Sequence, residues 1–217
     1  MLENLPESVG HALVNQRAGM ESVVYNQLHA HHATARLDVA SHAFAFNARL
    51  PVKYTADGAG LSPPLAWRHV PADADSIALI VEDADSPTPH PLVHAIVVGL
   101  PAEDGSVEEG ALNSPDHAGI GFETGRNSFF KQAWLPPDPP PGHGVHRYVF
   151  QVFALRAGAP FSHAPGRREV IEAILDRAIA VGCAIGTYER WSRADVAAEG
   201  NLDTAVERNF AADAEPV

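Results

Sequence analysis

Three stretches of this 217-residue chain concentrate the side chains that could do chemistry. The first is Glu82-Asp83-Ala84-Asp85-Ser86-Pro87, directly after the apolar run Ser76-Ile77-Ala78-Leu79-Ile80-Val81. In extended chain the carboxylates of Asp83 and Asp85, at i and i+2, point to one side. The alternative is an Asx-type turn that ends a strand, with Pro87 finishing it. The second is His94, heading Ala95-Ile96-Val97-Val98, either a hydrogen-bonded core residue or half of a functional pair. The third runs from Pro136 to Tyr148 and is dominated by Pro and Gly until His146. Its prolines fix φ, so the walls they build are stiff and cost little to order on binding. His146 and Tyr148 enter a strand at i and i+2 and share a face, with Arg147 turned the other way toward a carboxylate. An imidazole and a phenol in a stiff recess are the donors a small anion requires.

The elements that position these stretches follow from periodicity. Residues 7–28 read as one helix, with Val9, Ala12, Leu13, Met20, Val23, Val24 and Leu28 at helical spacing and Gly19 weakening the middle. His29, His31 and His32 lie in a polar connector. Leu37, Val39 and the cluster from Ala43 to Leu50 have strand character. Ser76–Val81, Val93–Val98 and Arg147–Leu155 are buried strands by length and β-branching. Val170, Ile171, Ile174, Leu175, Ala178 and Ile179 form a helical stripe, stopped by Gly182, and Ile185–Tyr188 returns as a short strand. Short strands followed by one helical segment predict a mainly β protein, a sandwich with helices packed outside it. The divisions expected are an N-terminal helical extension at 1–34, a sandwich domain at 35–193 and an acidic tail at 194–217, weakly helical or disordered.

Composition excludes several classes. Fifteen basic against 27 acidic residues give a formal net charge of −12, which repels phosphate backbones and disfavours nucleic-acid binding. No run approaches the ~20 apolar residues a transmembrane segment needs. The N-terminus has no basic and apolar pattern of a signal peptide. One cysteine, Cys183, permits no intrachain disulfide, and a reducing cytoplasm is the default. Cys183 reads as a small hydrophobe. There is no Gly-x-Ser-x-Gly elbow, Walker loop or dinucleotide fingerprint. His143 and His146 are i, i+3, but in a Pro/Gly loop rather than on a helix, so no metal site and no cofactor are expected. Once His146 enters a strand, His143 has no fixed relation to it.

Several segments, in order, resemble the phosphatidylethanolamine-binding protein family in its bacterial Raf-kinase-inhibitor-like branch. They are Tyr54-Thr55-Ala56-Asp57-Gly58, Ser62-Pro63-Pro64-Leu65-Ala66-Trp67, Asp83-Ala84-Asp85-Ser86-Pro87, His94, Arg126-Asn127-Ser128-Phe129, Pro137-Asp138-Pro139-Pro140, Gly144-Val145-His146-Arg147-Tyr148 and Gly186-Thr187-Tyr188-Glu189-Arg190. The resemblance covers about residues 43–190. It implies a Greek-key antiparallel β-sandwich with peripheral helices and a small pocket for phosphate, phosphorylated head groups or similar anions. Carried over by position, the ligand-binding residues are Asp83, His94, His146 and Tyr148, with Pro137 in the wall. It also implies a cis peptide at Glu82-Asp83 or before Pro87, and before Pro140. Ala95 stands where relatives carry an aromatic residue, and Trp134-Leu135-Pro136-Pro137 where they carry Tyr-x-Gly-Pro.

The expected mechanism has His94, His146 and Tyr148 replacing an anion's water while Asp83 orients an imidazole and favours its charged form. Burial lowers a histidine pKa and a carboxylate raises it, and the two readings stay open at this stage. Three functions compete. The first is a binding protein for a small anionic or phosphorylated ligand, possibly acting on a partner protein. The second is a hydrolase using Asp83, His94 and His146 as acid and base groups. The third is an interaction protein whose N-terminal helix makes a homodimer or docks a partner, against the plainer reading that this helix packs on the sandwich.

Overall fold

Residues 6–31, 34–114 and 122–190 are described by the structure, a computed structural model. Its helices are α1 (Glu7–Leu13), α2 (Val24–His31) and α3 (Arg167–Arg177). Its strands are β1 (Ala35–Arg36), β2 (Asp38–Ala40), β3 (Ala48–Arg49), β4 (Leu65–Arg68), β5 (Ser76–Asp83), β6 (Leu92–Leu100), β7 (Gly105–Val107), β8 (Glu123–Thr124), β9 (His146–Leu155) and β10 (Ala178–Tyr188). The larger sheet runs β1-β10-β9-β5-β6-β8 with β3 also paired to β10, and β2-β4-β7 form the smaller sheet. β9 inserts between β5 and β10 although β6 and β8 precede it, which is the Greek-key element. The long pairs are antiparallel, while β1 and β3 run parallel to β10.

β5, β6 and β9 carry the long apolar runs Ile77–Val81, Ala95–Val98 and Val152–Leu155 because both of their faces are covered. One face, with Leu79, Val97, Phe150 and Val152, meets Leu65, Trp67 and Val107 of the smaller sheet. The other, with Ile80, Ile96 and Phe153, meets Val24 and Leu28 of α2 and Val170, Ile171 and Ile174 of α3. α2 has its first turn satisfied from the sheet. The Val24 amide donates to Glu82 Oε2 (2.9 Å) and the Tyr25 amide to Gln151 Oε1 (2.7 Å). Arg167 completes this buried cluster by donating to Glu82 Oε1 (3.2 Å). The apolar face of α2 is thus consumed within the molecule.

Several local expectations are corrected. Residues 7–28 are not one helix. The chain leaves helical geometry after Leu13, and Ala18 and Gly19 pair with Ser86 O (3.0 Å) and Ala84 O (2.8 Å), Gly19 at φ +90°. Tertiary pairing overrides the helical period there. Between Ala43 and Leu50 only Ala48–Arg49 is a strand, since Ser41 turns the chain with its hydroxyl and Asn47 takes φ 63°. The C-terminal helix ends at Arg177 and passes straight into an 11-residue strand, so Ala178 and Ile179 are extended and Gly182 is mid-strand, not a stop. No cis peptide occurs among the described residues. The tail at 194–217 lies outside them.

Gly182 explains why β10 is built from small residues. A Cβ there would sit 2.3 Å from the Leu37 carbonyl oxygen, because the chain passing from β1 to β2 lies directly against it. Gly182→Ala is expected to cost about 2 kcal/mol through this overlap. The readout is a lowered denaturant midpoint at unchanged slope; an unmoved midpoint would mean that Leu37 does not press on β10.

Candidate functional site

His94 owes its position to a flaw in the β5–β6 ladder. Val81 pairs with Ala95, but Glu82 already pairs with Val93, so His94 is the extra residue of a bulge. A bulge re-aims a side chain that strict alternation would send to the other face. Its ring packs against Trp134 (5.9 Å) and edge-on against Tyr148 (5.1 Å). Nδ1 lies 2.5 Å from the Leu135 carbonyl oxygen. A carbonyl only accepts, so the proton is on Nδ1 and a neutral His94 presents a bare lone pair at Nε2. That Nε2 is buried without a protein partner. Burial holds the His94 pKa below its ordinary value, despite the opposing pull of Asp83. Burial therefore wins the contest the sequence leaves open.

His146 is placed differently. Its Nδ1 is 2.8 Å from Asp83 Oδ2, and its Nε2 is 2.7 Å from His143 Nδ1. His143 Nε2 in turn donates to the carbonyls of Leu13 (2.8 Å) and Gln16 (3.2 Å). Because those carbonyls demand a proton on His143 Nε2, one proton must lie between the two rings and another between His146 and Asp83. Every arrangement that satisfies all these bonds places three protons on the cluster and leaves it with no net charge. Burial, and next the neighbouring His146, lower the His143 pKa, which favours the inter-ring proton on His146. Both nitrogens of His146 thus face protein, and the donor role expected of it toward a ligand is not available. His143, which the spacing argument set aside, is fully buried and tied to His146.

Asp83 and Asp85 part company at the strand end. Asp83 Oδ1 accepts from the Asp85 amide (2.9 Å), the Asx-type turn, while its Oδ2 holds His146. Asp85 faces away and takes a two-pronged contact from Arg147 (2.7 and 2.6 Å), as well as Arg17 (3.0 Å). The expected pairing of Arg147 with a carboxylate is this one. The proline loop is pinned from outside: Arg190 grips Asp57, donates to Pro139 O (3.0 Å) and pairs with Asp138 (2.7 Å).

These pieces enclose a cavity of about 450 Å³. Asp83, His94, His146 and Asp138 reach it among apolar walls that include Leu92, Phe129, Leu135, Pro136, Pro139 and Pro140. Its two carboxylates are each compensated, Asp83 by His146 and Asp138 by Arg190. Lys131 is the cation of the rim, and Ser86 and Thr88 add hydroxyls. Pro137 stands behind the lining, its carbonyl accepting from Ala56 N (2.9 Å). Tyr148 also stands behind it, stacked on His146 (6.4 Å), its hydroxyl buried and unpartnered. Burial raises the Tyr148 pKa well above its ordinary value, so it remains a donor. A wider groove of about 620 Å³ beside Tyr25, Arg36, Phe46 and Cys183 has no buried unpartnered polar atom in its lining. Burial pushes the Cys183 thiol up to about 11, in keeping with an inert hydrophobe.

A two-sheet β-sandwich with one proline-walled cavity at its strand ends defines a class of ligand-binding protein. The chain belongs to the phosphatidylethanolamine-binding protein family, whose model matches residues 40–189. A UPF0098 protein of Methanothermobacter thermautotrophicus is 33% identical over 156 residues, covering 71% of this chain and 99% of the relative. One from Chlamydia pneumoniae is 37% identical over 158 residues, covering 71% and 99%. Among solved structures, the putative phosphatidylethanolamine-binding protein homolog of Chlamydia trachomatis is 32% identical with a TM-score of 0.63, covering 72% of this chain and 99% of its own. YbcL of E. coli, described as a member of the mammalian family, is 27% identical with a TM-score of 0.66 and the same coverage. No helix among the described residues is long and apolar enough to cross a membrane.

Proposed function

We propose that the protein binds a small phosphorylated or similar oxyanionic group, taken up as a protonated monoanion. The observation that carries this reading is the buried, unpartnered Nε2 of a neutral His94 at the cavity. A fully ionised phosphate would meet a lone pair there, whereas a monoanion brings the hydroxyl that this lone pair can accept. The Tyr148 hydroxyl lies one layer behind the lining, against the rings of His94 and His146 and with no partner in the protein, and donates to a ligand oxygen that enters between those two rings; Lys131 at the rim balances the remaining charge. The apolar walls suit an organic substituent on the phosphate. Hydrolysis by paired acid and base groups gains no support, because Asp83 and both nitrogens of His146 are spent on one another and on His143.

Tyr148→Phe tests this reading. Removing an unpartnered buried hydroxyl is expected to leave stability unchanged or raise it by about 1 kcal/mol. Affinity for phenyl phosphate is expected to fall about tenfold, the loss of about 1.4 kcal/mol of hydrogen bonding. Calorimetry with matched thermal melts reads both. Undiminished affinity would remove Tyr148 from the site, and no saturable binding by the wild type would remove the ligand class.

A further inference from the structure

Residues 7–19 lie outside the segment matched by the family model, yet they touch the two loops that make the cavity. α1 packs so closely on the proline loop that a Cβ on Gly10 would meet the Pro141 carbonyl oxygen at 1.9 Å. Arg17 donates to the carbonyls of Val145 (2.8 Å) and His143 (2.8 Å) and pairs with Asp85 (3.0 Å). The Ala18 amide holds the carbonyl of Ser86, a residue of the cavity lining. The Leu13 and Gln16 carbonyls fix which nitrogen of His143 is protonated, and so which atom faces His146. A continuous hydrogen-bonded path therefore runs from the N-terminal segment through His143 and His146 to Asp83 in the cavity wall.

We propose that residues 7–19 are a clamp on the ligand cavity, with His143 the positioning residue through which clamp and cavity are energetically coupled. This rests on the reading of that cavity as the ligand site. The docked segment presents the two carbonyls, and His143 then offers His146 an acceptor. With both ring protons held, His146 neutralises Asp83 and stands in a fixed orientation at the cavity wall. If the segment lifts, His143 loses the contacts that set its tautomer, and the Asp83–His146 pair loses its fixed partner. By linkage, a ligand that prefers the ordered wall tightens the segment to the same extent that the segment tightens the ligand.

The test uses full-length protein with ¹⁵N-labelled histidine. Wild type is expected to show a hydrogen-bonded ring N–H of His146, shifted downfield and slow to exchange. Arg17→Ala should lose that signal and bind phenyl phosphate about tenfold more weakly, a coupling of ordinary size. His143→Asn keeps an acceptor for His146 but drops the link to Leu13 and Gln16. On that background Arg17→Ala is expected to have no further effect on affinity. Should Arg17→Ala fail to fold, Arg17→Lys carries the same test, keeping the charge facing Asp85 without the two-carbonyl fork. An Arg17 effect that persists in full on the His143→Asn background, or an unaltered ring signal and affinity in Arg17→Ala, would overturn the clamp. If wild type does not bind phenyl phosphate, the ligand reading falls by itself and the ring signal alone decides the clamp.

Discussion

His94→Phe is expected to weaken phenyl phosphate binding about 100-fold, the upper range for a hydrogen bond to a charged group. The phenylalanine ring keeps the volume beside Trp134 and Tyr148 and removes only the two nitrogens. The pH dependence should change with it. Burial keeps His94 neutral near neutral pH, so the complex holds one proton more than free protein and ligand dianion together. Wild-type affinity should then fall about tenfold per pH unit above the ligand's second ionisation, near about pH 6 for a phosphate monoester. Calorimetry in buffers of different ionisation enthalpy would report about one proton taken up per ligand at about pH 8. Proton release on binding, or an affinity that rises with pH, would show that His94 does not act as the acceptor. In His94→Phe both the slope and the uptake should vanish.

Part of this site is legible in the sequence, and what is not has physical causes. Strands covered on both faces announce themselves as unbroken apolar runs, and Arg147 had to oppose His146 and Tyr148 by strand alternation. The stiffness of the proline loop followed from residue type; that Asp83 orients an imidazole was an expectation, and that the imidazole is that of His146 rather than His94 is seen only in the fold. His143 did not, because its direction depends on Gly142 at φ +77° and Gly144 at φ +89°, which double the chain back toward His146. A histidine flanked by two glycines was the available signal. The bulge at His94 left no mark, since one residue out of register changes no composition. Only the end of β10, Ile185–Tyr188, was legible; the rest was hidden because Ala and Gly are poor strand formers, and they are there to admit Leu37 at Gly182 and Leu50 at Gly186. The clamp was hidden because Ala18 and Gly19 take their partners from the turn after β5, a contact no local period encodes.

Asp85→Ala should separate the frame of the site from its ligand groups. Asp85 is 1% exposed and accepts from the Arg147 amide (2.9 Å) and guanidinium and from Arg17. It thereby joins the turn after β5, the start of β9 and the N-terminal segment. Removing it strands the buried Arg147 amide and two guanidiniums. Because Arg147 and Arg17 are 39% and 29% exposed, water recovers part of the loss. The expected cost is about 3 kcal/mol, the lower end for breaking a buried pair, read from the denaturant midpoint. The pH dependence has a definite sign. Burial raises the Asp85 pKa, but hydrogen bonds from Arg147 and Arg17 outweigh it and leave it below the ordinary carboxylate value. Its contribution is therefore complete above the unfolded value of about 3.9 and lost as pH falls through the lower folded value. The gap between wild type and Asp85→Ala should close in that acid range and remain open at neutral pH. A gap that is absent at neutral pH, or that widens in acid, would mean that Asp85 does not hold the frame. His94→Phe gives the contrasting result, ligand affinity lost with stability lowered by only about 1 kcal/mol for the stranded Leu135 carbonyl. The two variants together test whether a rigid frame built by Asp85 carries a ligand-recognition group, His94, that contributes little to folding.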